Sequence, residues 1–145
     1  MIALDTNILV YGHREESEFH KPALQRIQQL AEGLSPWALP WPCLHEFYSI
    51  VTHPRIFQPP TPWNLALEQI DAWLESPSVV LVSETAAHWG ELRPLLVSGK
   101  VSGPLVHDAR VVAICLQNGV RELWSADRDF GRFPALTVVN PLANV

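Results

Sequence analysis

The sequence predicts an α/β fold in which helices cover both faces of a central, mostly parallel sheet. Three observations carry this. Short apolar runs alternate with amphipathic stretches along the chain, as in successive βαβ units. The segment VVLVS at 79–83 is β-branched and continuous, as a strand buried on both faces should be. Glycine and proline punctuate the joins, at Gly33, Pro42, Gly99–Pro104 and Gly119.

Taken in order, Ile2–Leu4 reads as a buried strand, with a helix starting at Asn7. PALQRIQQLAEG, residues 22–33, has helical periodicity and a glycine stop. Trp37–Trp41 is a short strand, and Pro42 suits the first turn of a helix running to about His53. After a proline-rich loop, Trp63–Glu75 is an amphipathic helix, and Val79–Ser83 is the next strand. Thr85–Ser98 is helical up to the Gly99–Pro104 break. Val106–Asn118 is the last long helix, with Gly119 as its C-terminal stop. Glu122–Ala126 and Thr137–Val139 complete the strands.

A chain of 145 residues fits one domain, residues 1–145, with no repeat or linker, and a chain of this size buries roughly 68–70% of its unfolded surface. The net charge of −5 excludes a protein that holds nucleic acid by bulk positive charge, but not a nuclease whose catalytic acids contribute to the excess. Cys43 and Cys115 sit in apolar surroundings without metal-thiolate spacing and read as buried thiols of a reducing compartment. An acid at position 5, no basic leader and no apolar run of about 18 residues argue against a signal peptide or a membrane span. A cytoplasmic location is expected.

The acids carry the functional signal. Asp5 stands after the first strand between two apolar runs, Glu46 near the start of the helix after the second, and Asp108 at the opening of the last long helix. Asp127 and Asp129 follow the fourth strand in LWSADRDF. Singly, each has a structural explanation as a helix cap, a first-turn acid or a turn residue. Doubly wound sheets keep their ligand site at the carboxyl ends of the strands, so these acids share one rim. Carboxylates gathered there repel, and a proton or a cation must relieve them. The chain has only two lysines, Lys21 and Lys100; Arg110, Arg128 and Arg132 are the nearby cations in sequence. A hard divalent cation relieves the charge better, because Mg²⁺ takes carboxylate oxygens and retains water.

The blocks LDTNILVY, WPCLHEFYSIVTHPRIF, VHDARVVAICLQNGV and LWSADRDFGRFPALTVVNP, in this order across essentially the whole chain, resemble a PIN-domain ribonuclease, most closely the VapC toxins of VapBC toxin–antitoxin pairs. The resemblance implies a three-layer PIN-like fold and a Mg²⁺-dependent endoribonuclease, with Mn²⁺ as a substitute. The family's acids carry over onto Asp5, Glu46, Asp108 and Asp127 as catalytic metal ligands, direct or through water. Asp129 matches a further acid that some members use. Asn7 and Ser125 match polar residues that orient ligands or the attacking water from behind. Arg14, Arg55, Arg128 and Arg132, in or near rim loops, are candidates for RNA phosphate contacts. Such carboxylate-held ions make water nucleophilic near neutral pH and neutralise the leaving oxygen.

The resemblance also implies an RNA substrate recognised in single-stranded loops, a homodimer, and a hetero-oligomer with a VapB-type antitoxin. Two tryptophan-rich segments, Trp37–Trp41 and Trp63–Trp73, point to interaction surfaces in the same sense. The alternative is a catalytically silent PIN-like binding module, although degenerate members lose acids that this chain keeps. A haloacid-dehalogenase-like phosphatase is disfavoured because Asn7 occupies the place of its second aspartate. A receiver domain lacks its phosphoacceptor, since the third strand ends VLVSET. His45-Glu46 is not a zinc-protease motif, because Ser49 stands where a second histidine is required.

Overall fold

The computed structural model describes residues 1–143. Its five strands are β1 (Ile2–Leu4), β2 (Trp37–Pro40), β3 (Val79–Val82), β4 (Glu122–Trp124) and β5 (Thr137–Val139). All neighbours pair in parallel, in the order β3-β2-β1-β4-β5. The chain therefore builds outward from β1 on one side, then crosses to β4 and builds outward on the other. The direction reverses between β1 and β4, and a crevice opens beyond their carboxyl ends.

Six α-helices make the flanking layers: α1 (Thr6–His13), α2 (His20–Glu32), α3 (Trp41–Val51), α4 (Trp63–Leu74), α5 (His88–Ser98) and α6 (Val106–Gln117). α1 packs against α2 and α3, and α5 against α6. Gly12 lies where α1 meets α2, and a Cβ there would force Ile27 Cδ1 to shift. α6 is almost wholly buried from Ala109 to Cys115, and Gly119, at φ +74°, turns the chain out of it. The central strands are fully enclosed: Ala3, Leu4, Ala38, Leu39 and Leu123 have no exposed surface. Both cysteines are free and buried, as their surroundings predicted.

Several local expectations shift. β3 is not buried on both faces: it is the edge strand, and Val80 and Leu81 are exposed. A continuous apolar run does not distinguish an edge strand from a central one. α5 begins at His88 and not at Thr85, because Thr85 Oγ1 accepts a hydrogen bond from the Ala87 amide and closes a turn first. α2 begins at His20, two residues before Pro22; the missing N–H falls among the first-turn donors that have no helical partner anyway. Trp41 starts α3 and does not end β2, so Glu46 lies in the middle of its helix. No helix among the described residues is long and apolar enough to cross a membrane.

Candidate metal centre

β1 ends at Leu4, and the next residue, Asp5, is held to β4 by its own amide, which donates to Trp124 O at 3.0 Å. Asp5 occupies the N-cap position of α1, yet its side chain makes no capping bond. The carboxylate turns instead toward β4 and α3. Oδ2 accepts from Ser125 Oγ at 2.7 Å and from Asn7 Nδ2 at 3.4 Å, and Oδ1 accepts from Cys43 Sγ at 3.6 Å. Burial pushes the Asp5 carboxyl above its ordinary range, against the opposing effect of the Ser125 bond. The cap explanation of Asp5 therefore fails on geometry.

Asn7 and Ser125 form one frame behind it. Ser125 Oγ accepts from Asn7 Nδ2 at 3.2 Å and from the Asp127 amide at 3.0 Å, while Asn7 Oδ1 accepts from the Ala126 amide at 3.1 Å. The serine hydroxyl thus spends its one proton on Asp5 and both lone pairs on its neighbours. This frame fixes the turn after β4, from which Asp127 opens a short 3₁₀ helix over Arg128–Arg132 by accepting the Asp129 amide at 2.8 Å.

Asp5, Glu46, Asp108 and Asp127 line a single cleft of about 270 Å³, together with Asn7, Cys43, His107 and Arg110. Glu46 reaches it from α3, and Asp108 from the first turn of α6. The tightest group is Asp108, Asp127 and Asp129, each offering a carboxylate oxygen within 4.8 Å of the others. Asp129, the subsidiary acid by resemblance, thus belongs to the tightest group although it does not line the cleft itself. Burial, followed by the charges of Asp127, Asp5, Asp129 and Glu46, pushes Asp108 up to about 7. All five acids therefore act electrostatically on one point.

Among the described residues none of these acids is engaged in an ion pair; the pairs are Arg14–Glu16 and Arg110–Glu84. Arg110, a sequence neighbour expected to neutralise part of the charge, lines the cleft but bonds Glu84 instead. The donor set is all oxygen, negatively charged and crowded, and it fits a hard divalent cation such as Mg²⁺ or Mn²⁺. Neither histidine joins the group: His107 borders the cleft because the cleft follows the first turn of α6, and His45 stacks near Trp41 at 6.1 Å between centroids.

The candidate RNA-binding arginines divide. Arg14 is committed elsewhere: it lies 4.3 Å over the Phe57 ring, pairs with Glu16, and donates to Thr61 Oγ1 at 3.1 Å and Pro59 O at 3.0 Å. A guanidinium so engaged, with 12% of its side chain exposed, is not free for phosphate. Arg132 ties its 3₁₀ helix to the end of α5 through Gly99 O at 3.2 Å. Arg55 is exposed after α3 and does not line the cleft. Arg128 is exposed beside Asp127, in an adjoining hollow of about 460 Å³. Sequence reasoning missed Cys43 as a partner of Asp5. Its spacing of three residues from Glu46 on one helix face was the available signal.

The sequence model of the PIN domain matches residues 2–136. The chain is 34% identical over 142 residues to "VapC ribonuclease Mb2897" of Mycobacterium bovis, covering 98% of this chain and 96% of that protein. Its fold is similar to that of VapBC2 from Rickettsia felis, solved bound to a promoter DNA fragment, with a TM-score of 0.67, 20% identity, and coverage of 96% of this chain and 98% of that one. It is also similar to Mycobacterium tuberculosis VapC20, described as a sarcin–ricin-loop-cleaving toxin, with a TM-score of 0.67, 17% identity, and coverage of 90% and 93%.

Proposed function

The chain belongs to the PIN domain family, and from that membership we propose that it is a divalent-metal-dependent endoribonuclease, the toxin of a type II toxin–antitoxin pair. The observation that carries the reading is the convergence of Asp5, Glu46, Asp108 and Asp127 on one cleft, with Asp129 at its edge and no cationic partner for any of them among the described residues. A silent binding module has no use for that repulsion, which costs stability wherever it is not relieved.

In this reading Asp108, Asp127 and Asp129, whose carboxylate oxygens lie closest together, would hold the cation with Asp5 and Glu46 of the same cleft. A bound Mg²⁺ or Mn²⁺ supplies nucleophilic water near neutral pH and neutralises the leaving oxygen. Ser125 and Asn7 keep the Asp5 carboxylate in one orientation and hold the Asp127 turn in register with it. The substrate is RNA in single-stranded loops, where a phosphodiester can enter an open cleft and its bases can be splayed out. The relative described as a sarcin–ricin-loop-cleaving toxin supports that substrate class.

The partner is a VapB-type antitoxin, a reading supported by the similarity to VapBC2. An arginine of such a partner fits the acidic cleft, since a guanidinium binds carboxylates bidentately. Purified protein should cleave single-stranded RNA with Mg²⁺ or Mn²⁺ and stop with chelator, and the product of the adjacent gene should suppress cleavage. RNA left intact under every divalent ion tried would overturn the reading.

A further inference from the structure

The cleft that gathers the acids also holds one strong cation. Arg110 is the only lysine or arginine lining it among the described residues. Four carboxylates border the same space, and an arginine so placed ordinarily turns onto one of them. This one does not. Its Nε donates to Glu84 Oε1, and neither Nη nitrogen has a hydrogen-bond partner among the described residues.

Glu84 is a fixed anchor. It lies in the connection between β3 and α5, which is fastened to α6 at three further points. Asn118 Nδ2 donates to Ser83 O at 3.0 Å, Thr85 Oγ1 to Gln117 Oε1 at 2.8 Å, and Gln117 Nε2 to Ala87 O at 3.1 Å. Arg110 and Glu84 retain side-chain exposures of 39% and 31%, so the pair is open to solvent, and Arg110 is the member that borders the cleft. The result is a guanidinium held by one nitrogen, with its forked end uncommitted beside a site that repels polyanions. A phosphate needs such a donor: two of the four remaining N–H donors match two of its oxygens, where a lysine offers only a point charge.

We propose that Arg110, oriented by Glu84, binds a backbone phosphate of single-stranded RNA beside the acidic cleft, with Glu84 as its positioning residue. This rests on the ribonuclease reading above. Charge in the cleft is then divided, with the acids serving the cation and Arg110 serving the phosphate that the acids alone would reject.

The test uses a fluorescently labelled single-stranded RNA of mixed sequence, bound over a range of salt by Asp108→Asn protein with and without Arg110→Gln. Cleavage kinetics are measured for Arg110→Gln, Arg110→Lys and Glu84→Gln in the otherwise unaltered chain. Arg110→Gln should weaken binding by about tenfold, as loss of a charge-assisted hydrogen bond does. It should also lower the slope of log K against log salt by about 0.7, the share of one single-strand phosphate contact. KM should rise in parallel. Arg110→Lys should restore the salt slope and only part of the affinity, and it carries the test should Arg110→Gln fail to fold. Glu84→Gln should keep the slope and raise KM.

If the pair is only a strut between the loop and α6, Arg110→Gln and Glu84→Gln lower the melting temperature alike and leave the salt slope unchanged. That result overturns the proposal while wild-type cleavage leaves the ribonuclease reading standing. A wild-type protein that neither binds nor cleaves the RNA overturns both.

Discussion

Ser125 Oγ stands 2.7 Å from Asp5 Oδ2, across 120 residues of chain and just beyond β1 and β4, the two strands between which the strand order reverses. The same oxygen accepts the Asp127 amide. One hydroxyl therefore fixes the positions of two acids at once, and its removal has a consequence for each.

Ser125→Ala should lower stability by about 1.5–3 kcal/mol, because a buried carboxylate loses its shortest donor. Cleavage should fall as well, since Asp5 is freed to rotate and the Asp127 turn loses its acceptor. Cys43→Ala removes only a long S–H···O contact to the other oxygen and should cost less on both counts. Urea unfolding and cleavage assays on the two variants test the order. A Cys43 variant worse than the Ser125 variant would show that the frame described here does not govern Asp5.

Asp108→Asn keeps the side chain's size but removes a negative charge from the tight group of Asp108, Asp127 and Asp129. RNA cleavage should fall by orders of magnitude even with ample Mg²⁺. The metal-free fold should survive and gain stability, because like-charge repulsion is reduced. Mg²⁺ should raise the melting temperature of the wild type more than that of the variant, since a ligand bound only by the native state stabilises it. Near-normal cleavage with an unchanged metal response would return Asp108 to the role of a first-turn helix acid.

Much of this was legible in the sequence, and the reasons differ by residue. Asp5 stood out because a carboxylate between apolar runs needs an explanation that a strand end supplies. Asp108 and Asp127 were locatable because glycine and proline bracket their elements. The tight grouping of Asp129 with Asp108 was not, since it depends on how Asp127 caps a five-residue 3₁₀ helix. The exposure of Val80 and Leu81 was hidden for a different reason: strand order is a long-range property, and a β-branched run looks alike at an edge and at a centre. Arg14 looked available because nothing local to it in sequence shows Phe57, Pro59 and Thr61 closing around its guanidinium.

The protein should be a dimer in solution, though on a narrower basis than the tryptophan-rich segments suggested. Trp37 and Trp73 are core residues and contribute nothing to a surface. Trp63 and Trp89 are 66% and 61% exposed, with Trp41 partly so, and these are the side chains whose burial in an interface can be tested. Light scattering should give twice the chain mass, and Trp63→Ser or Trp89→Ser should weaken association without lowering the melting temperature of the monomer. A clean monomer at high micromolar concentration would count against it.

Stability of the metal-free protein should depend on pH in a direction set by Asp108. Its carboxyl ordinarily titrates near 3.8 and is held up at about 7 in the fold. Between those values the native state keeps a proton that the unfolded chain releases, so raising the pH favours unfolding. The stabilisation is complete below the lower value and lost as pH rises through the upper one. Asp5, also raised, acts in the same direction. Mg²⁺ should reverse the trend, because its ligands must be ionised and binding releases the proton. Melting curves recorded from about pH 5 to 7.5 should therefore fall with pH in chelator, fall less in Asp108→Asn, and separate progressively from the Mg²⁺ curves as the pH climbs. A chelated wild type whose melting temperature rises steadily across that window would mean that Asp108 ionises freely, and that the acids do not share the field described for the cleft.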